Sequence, residues 1–322
     1  MKKEFRYFWI KYHRRIFKWA RASMFMIIGL GVFLSVSSVK VDPSQESATF
    51  RIEKIRSPFD NKVYAVKIPS NLDFAGEKVP LDDPDVRQRL DRELLINTYW
   101  QSQTLYLLKE YPQIISLVKP ILEKNGVPDD FVYLCIAESN LQVTAQSPTG
   151  AMGLWQFTKS TGQKYGLTIN GEIDERLSYE QSTEAACRYL KEAKDKYGSW
   201  TTAAASFNRG MDGMDAAVAH QQTSNYYDLY LNTETARYVY RILALKQVLQ
   251  NPQQYGFFLD TEDLYPEYKY KTIAVDSTVN DLTAFAKANG TNYKTLRTLN
   301  PWIINYSLTN KEKKEYEFKL PI

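Results

Sequence analysis

Histidine and cysteine are scarce in this chain. Of 322 residues, only His13 and His220 are histidine and only Cys135 and Cys187 are cysteine. Neither a His-x-x-x-His nor a Cys-x-x-Cys spacing occurs, so no metal ligand set and no histidine-based nucleophilic triad is expected, and no cofactor either. Both cysteines lie in apolar helical patterns and read as buried reduced thiols, a disulfide between them being the alternative in an oxidising compartment. Acidic residues are missing over a long stretch, with none between Glu138 and Glu172. Excess positive charge is missing as well, once the first 21 residues are set aside. Those residues hold eight Lys/Arg against one Glu, which leaves the other 301 at a net −3 although the whole chain is +4. A slightly acidic globular part excludes nucleic acid as the expected partner.

The basic head, residues 1–21, precedes eighteen uncharged residues, 22–39. At helical rise these reach about 27 Å, enough to span a bilayer. The basic side stays cytoplasmic, so the expectation is a transmembrane signal anchor with everything after it exported. A cleaved signal peptide is the alternative, because Ser35-Val36-Ser37 resembles a small-x-small site. Residues 40–92 read as an exported, polar linker and lead-in with turn signals at Asp82-Asp83-Pro84. Residues 93–258 read as an all-helical domain, with segments at Ile114–Leu122, Thr158–Tyr165, Ser178–Tyr197, Trp200–Phe207, Asp215–Gln221 and Thr233–Leu249. Residues 262–322 read as a small β-α-α-β module: strands at Tyr268–Val275 and Tyr316–Leu320, helices at Val279–Asn289 and Tyr293–Asn300. The fold class is mainly α.

Glu138 stands out chemically. It closes the apolar run from Phe131 to Ala137, and at helical spacing it shares a face with Phe131, Leu134 and Cys135. A carboxyl on a buried stripe is costly to ionise, so its pKa should rise and suit it to general acid work. Asp129 and Asp130 precede this helix, complement the positive end of its dipole and read as its N-terminal caps. After Glu138 comes Gly150-Ala151-Met152-Gly153-Leu154-Trp155-Gln156, a turn of small, apolar and amide residues such as sugar clefts expose.

Four segments occur in order: Glu138-Ser139-Asn140-Leu141 with Ala145-Gln146-Ser147; Gly150 to Gln156; Ala205-Ser206-Phe207-Asn208-Arg209-Gly210; and Glu234-Thr235-Ala236-Arg237-Tyr238-Val239. Their order and spacing resemble the lytic transglycosylase domain related to goose-type lysozyme, of the membrane-bound lytic murein transglycosylase D type. The resemblance covers roughly residues 75–258. It implies a lysozyme-like helical catalytic domain that cleaves between N-acetylmuramic acid and N-acetylglucosamine in peptidoglycan glycan strands. It further implies that Glu138 is the catalytic acid and base, and that Ser147, Met152, Gln156, Asn208 and Tyr238 line the substrate site. Phe207 departs from the pattern, where Tyr usually precedes the Asn. Residues Tyr270 to Val275, Asp281 to Ala286, Leu299-Asn300-Pro301-Trp302 and Leu320-Pro321 resemble a LysM domain, which implies binding of N-acetylglucosamine-containing glycans; the usual Gly-Asp-Thr after the first strand is replaced by Val275-Asp276-Ser277.

A two-carboxylate glycosidase needs an acid and a second carboxylate. The acid-free stretch after Glu138 instead favours a reaction in which the muramic acid C6 hydroxyl attacks the anomeric carbon and closes a 1,6-anhydro ring. A hydrolytic muramidase and a non-catalytic wall-binding or scaffold protein stay open as alternatives. With the anchor, the catalytic domain would stand in the periplasm, held at the inner membrane; with cleavage it would be free there.

Overall fold

The structure, a computed structural model, describes residues 63–322. The basic head, the apolar segment 22–39 and most of the expected linker lie outside the described residues. Among the described residues, no helix is long and apolar enough to cross a membrane.

A two-residue-per-strand hairpin, β1 (Asp73–Phe74) and β2 (Glu77–Lys78), begins the folded chain. Then come α1 (Pro84–Tyr99), α2 (Gln101–Lys124), α3 (Phe131–Ser139), α4 (Lys159–Lys164), α5 (Tyr179–Tyr197), α6 (Trp200–Arg209), α7 (Met211–Gln221) and α8 (Thr233–Gln250). The C-terminal module is β3 (Tyr270–Val275), α9 (Leu282–Ala288), α10 (Tyr293–Leu299) and β4 (Tyr316–Pro321). Its two strands pair antiparallel from Tyr270 opposite Pro321 to Val275 opposite Tyr316.

The helical domain extends further toward the N-terminus than the sequence indicates. Leu72, Phe74, Val79, Leu81, Val86 and Leu90, all in the expected lead-in, are buried in the same core as α3 and α8. Asp82-Asp83-Pro84 is not a free turn. The Asp83 carboxylate accepts from the Asp85 amide and Pro84 occupies the first helical turn, so this tripeptide starts α1. The chain breaks at Trp100 and runs on as one helix through Pro112 and Pro120, because Leu107, Ile114, Ile115, Val118 and Leu122 bury a continuous face. Both cysteines are free and buried.

Helix α3 is buried almost all round, Phe131 to Ile136 without a break, rather than along one stripe. Asp129 and Asp130 do not cap it: no side-chain bond is made at its N-cap. Asp129 pairs with Lys119 at 2.7 Å, while Asp130 accepts from the buried Lys246 ammonium at 2.7 Å and from the Ala75 amide at 2.6 Å. Asp130 thereby ties the first hairpin, α3 and α8 together.

Glu77 makes a second tie. Its carboxylate accepts from the Ser199 hydroxyl, the Trp200 amide, and the amide and hydroxyl of Thr201, and it pairs with Lys194 at 3.2 Å. It therefore sits on the positive end of α6. Burial alone would raise its pKa, but the Thr201 hydroxyl, the two amides and Ser199 together hold it down to about 2. A carboxyl depressed from 4.5 stabilises the fold above its unfolded pKa and loses that contribution as pH falls toward 2. Glu77→Gln should lower stability by about 1–2 kcal/mol at neutral pH. In denaturant titrations the gap to wild type should close below pH 4.

Candidate active site

The site is built on the end of one helix and the face of another. Glu138 lies in the last turn of α3, where Asn140 in the left-handed region closes the helix (φ 50°). Its helix is buried from Phe131 to Ile136, while Glu138 itself keeps a partly exposed surface. Tyr238, buried in α8, donates its hydroxyl to Glu138 Oε1. Burial raises the Glu138 pKa from 4.5 to about 7; the Tyr238 hydrogen bond and the Arg241 charge oppose this, and the Glu234 charge adds to it. Burial and the neighbouring Glu138 push the Tyr238 phenol well above its ordinary value, so it remains the donor.

Helix α8 gathers more of the site. Thr235, one turn before Tyr238, donates to Asn208 Oδ1 at 2.9 Å and thereby fixes the end of α6 against α8. Arg241, one turn after Tyr238, pairs with Glu234 at 2.9 Å. Arg237 on the same helix pairs with the buried Glu93 of α1 at 2.7 Å. Positions 234, 238 and 241 share one helix face, and that spacing is the signal by which Arg241 and Glu234 could have been found. Glu234 corrects the impression of a carboxyl without acidic company. The sequence neighbourhood of Glu138 is acid-free, yet the fold supplies a second carboxylate from α8.

Ser147, Met152 and Gln156 lie on one looped segment between α3 and α4. The segment folds on itself through isolated bridges of Gln146 with Met152 and of Met152 with Phe157. The Ser147 hydroxyl accepts from the Ala151 amide at 3.0 Å. The Gln156 side chain donates to the carbonyls of Ala145 and Gly153, at 3.0 and 2.8 Å, and its backbone sits at φ 48°. Ser147 and Gln156 thus spend hydrogen bonds on the shape of the turn itself. Below the turn, the Phe207 ring lies 6.1 Å from Trp155, 5.6 Å from Phe157 and 5.0 Å from Tyr189, centroid to centroid. Phe207 is one corner of an aromatic cluster that supports the turn.

The residue that pins this turn was not singled out in the sequence. Arg176 is buried and bidentate to Asp174, at 2.9 and 2.6 Å. Its guanidinium also donates to the carbonyls of Gly150 and Phe157, at 3.0 and 3.2 Å, and lies 3.1 Å from Met152 Sδ. Only a planar fork with several donors serves all these acceptors. The sequence offers no periodicity that would reveal its hold on the turn, since the carbonyls of Gly150 and Phe157 lie 26 and 19 residues away.

The site geometry is thus a glutamic acid at the end of a buried helix, hydrogen-bonded to a buried tyrosine of a second helix, in a helical domain that also carries a glycine-containing turn. Comparison with known proteins gives the class: residues 117–230 match the transglycosylase SLT domain, and residues 271–322 match the soluble lytic transglycosylase C-terminal LysM-like domain. The chain therefore carries a transglycosylase SLT domain followed by a LysM-like domain. It is 30% identical to membrane-bound lytic murein transglycosylase D of Escherichia coli (strain K12) over 198 residues, 59% of this chain and 43% of that protein. It is 32% identical over 130 residues to membrane-bound lytic murein transglycosylase F of Cronobacter sakazakii, covering 39% of this chain and 23% of that protein. It is 35% identical over 97 residues to the peptidoglycan transglycosylase gp16 of Escherichia phage T7, covering 29% of this chain and 7% of that protein. The chain thus spans less than half the length of these relatives.

Gly153 offers a direct test of the turn. It has φ +84°, and an added Cβ would lie 1.8 Å from the Arg176 carbonyl oxygen. Gly153→Ala should cost about 2–4 kcal/mol through clash and left-handed strain, read as a lowered unfolding midpoint. Gly150→Ala, where nothing lies within 4 Å of the added carbon, should cost less.

Proposed function

We propose that this protein is a peptidoglycan lytic transglycosylase that cleaves the β-1,4 bond between N-acetylmuramic acid and N-acetylglucosamine. The observation that carries this reading is the Glu138 carboxyl at the end of a buried helix, hydrogen-bonded by the Tyr238 hydroxyl, where burial pushes its pKa up to about 7. A neutral carboxyl at neutral pH can give its proton to the glycosidic oxygen as the bond to the anomeric carbon breaks. The resulting carboxylate then takes the proton of the muramic acid C6 hydroxyl as that oxygen bonds to the anomeric carbon. A 1,6-anhydro ring results, and Glu138 ends protonated, ready for another turn. Tyr238 steadies the carboxylate between the two transfers through its hydrogen bond. Asn208, Ser147, Gln156 and Met152 line the path of the glycan, with the turn as one wall. The intramolecular nucleophile supplies effective concentration that a bound water would need a second base to match.

Glu234 favours a second reading. A carboxylate near the acid could activate water and make the enzyme a hydrolytic muramidase. Against it stands the pairing of Glu234 with Arg241 at 2.9 Å, which engages that carboxylate with a guanidinium instead of leaving it open to a water.

The site belongs to the cell envelope in this reading. We assign residues 22–39 as an inner-membrane anchor, with residues 72–258 and the LysM-like module in the periplasm, and with glycan binding by that module. Fractionation of the full chain should place it with membranes, and residues 40–322 should be soluble. A full chain that fractionates as soluble after loss of its first residues would instead mean cleavage.

Digestion of purified peptidoglycan with mass analysis separates the chemistries. Wild type should release anhydro-muropeptides, and Glu138→Gln should release at least about 10³-fold less while remaining folded. Reducing-end products abolished by Glu234→Gln would establish the hydrolase. In wild type, kcat/KM should fall as pH rises through about 7, because the donor must hold its proton. Tyr238→Phe removes a bond that favours the carboxylate, so that alkaline limb should move to higher pH while kcat falls.

A further inference from the structure

The LysM-like module is not hung on a tether. Residues 64–322 form one compact unit, and the module's core is shared. Ile173 and Leu177 of the helical domain are buried in one cluster with Leu282, Leu296, Trp302, Ile303, Leu308 and Phe318 of the module, and Met152 packs against the same cluster. The backbones join as well. Ile173 bridges Ile303, the Asp174 amide donates to the Trp302 carbonyl at 2.8 Å, and the Ile304 amide donates to the Glu172 carbonyl at 2.8 Å. The Glu172 carboxylate accepts from the Thr309 amide at 3.0 Å and from its hydroxyl, and Lys314 pairs with the buried Glu175 at 3.1 Å. The segment so held, 172–175, leads straight into Arg176, whose guanidinium fixes the carbonyls of Gly150 and Phe157 and abuts Met152.

We propose that the C-terminal module is a positioning element of the active-site turn: its Trp302–Ile304 segment holds residues 172–174, and through them Arg176 sets the place of the turn that carries Met152 and Gln156. This rests on the reading of that turn as a wall of the glycan site. It gives the module a role in the rate of cleavage that is separate from any hold on the wall. Arg176 is a positioning residue in this scheme, reaching the substrate only through the turn. A turn displaced by about 1 Å suffices for a large loss of rate.

The test compares the full chain with Glu172→Ala/Ile303→Ala and with Arg176→Lys. The double variant loosens the junction from both sides, and Arg176→Lys keeps the charge beside Asp174 but loses the fork. Three quantities are read: hydrogen exchange in peptides covering 145–157 and 172–177, the unfolding midpoint, and kcat and KM on a short soluble glycan. Expected in both variants is exchange about tenfold faster across 145–157. The kcat should fall about tenfold or more with KM within about twofold. In the double variant, the 172–177 peptide should loosen together with the turn. A turn whose exchange is unchanged in both variants overturns the proposal, as does a turn that loosens while kcat stays at the wild-type value. The exchange readout needs no turnover, so a wild-type chain that cleaves nothing would sink the enzymatic reading and leave the coupling of module to turn separately measurable.

Discussion

A carboxyl group at the end of a helix buried on nearly every side can be tolerated in only a few ways. It must be neutral, or it must be paired and hydrogen-bonded. Among the described residues, Glu138 has a single hydrogen-bond donor, the Tyr238 hydroxyl, and beyond it the charge of Arg241, which Glu234 partly cancels. The balance leaves the acid with its proton near neutral pH. Helix α8 supplies all three of these groups, so the register of α8 against α3 sets the chemistry. That register is held by the buried ion pairs of Arg237 with Glu93 and of Lys246 with Asp130, which fix α8 to α1 and to the start of α3. Removing Arg237 or Asp130 would leave the buried Glu93 or Lys246 without that charged partner.

The turn between α3 and α4 is stabilised differently. The turn from Ala145 to Phe157 has little regular structure, so its carbonyls and amides must be satisfied locally. The Gln156 amide, the Ser147 hydroxyl and the Arg176 guanidinium do this. Gly153 lets the Arg176 backbone approach closer than any side chain would allow. Ser147 and Gln156 are therefore residues that hold the shape of the turn.

Much of this was legible in the sequence, and the rest was not for identifiable reasons. Helices α5, α6 and α8 and all four elements of the C-terminal module follow apolar periodicity and turn signals within a few residues, because each buries one regular face. Tyr238 and Asn208 came from the order of the four segments rather than from any local pattern. The start of α1 was hidden because Asp82-Asp83-Pro84 signals a turn and a helix start equally well; only the burial of Val86 and Leu90 decides. The single span of α2 was hidden by Pro112 and Pro120, whose local cost is overridden by packing. The roles of Asp130 and Glu77 were invisible because their partners are more than fifty residues away along the chain, and that of Arg176 because the carbonyls it holds lie about twenty residues back. The acid-free stretch after Glu138 was real, but contact order matters more than sequence order, and Glu234 arrives from α8.

The most direct measurement is the titration of the Glu138 carboxyl carbon by NMR in wild type, with Glu138→Gln to assign the signal. A midpoint near 7 is expected for a buried acid restrained only by Tyr238 and Arg241. A midpoint near 4.5, the value of an unburied glutamic acid, would mean that water reaches the carboxyl freely and that Glu138 is not the proton donor at neutral pH.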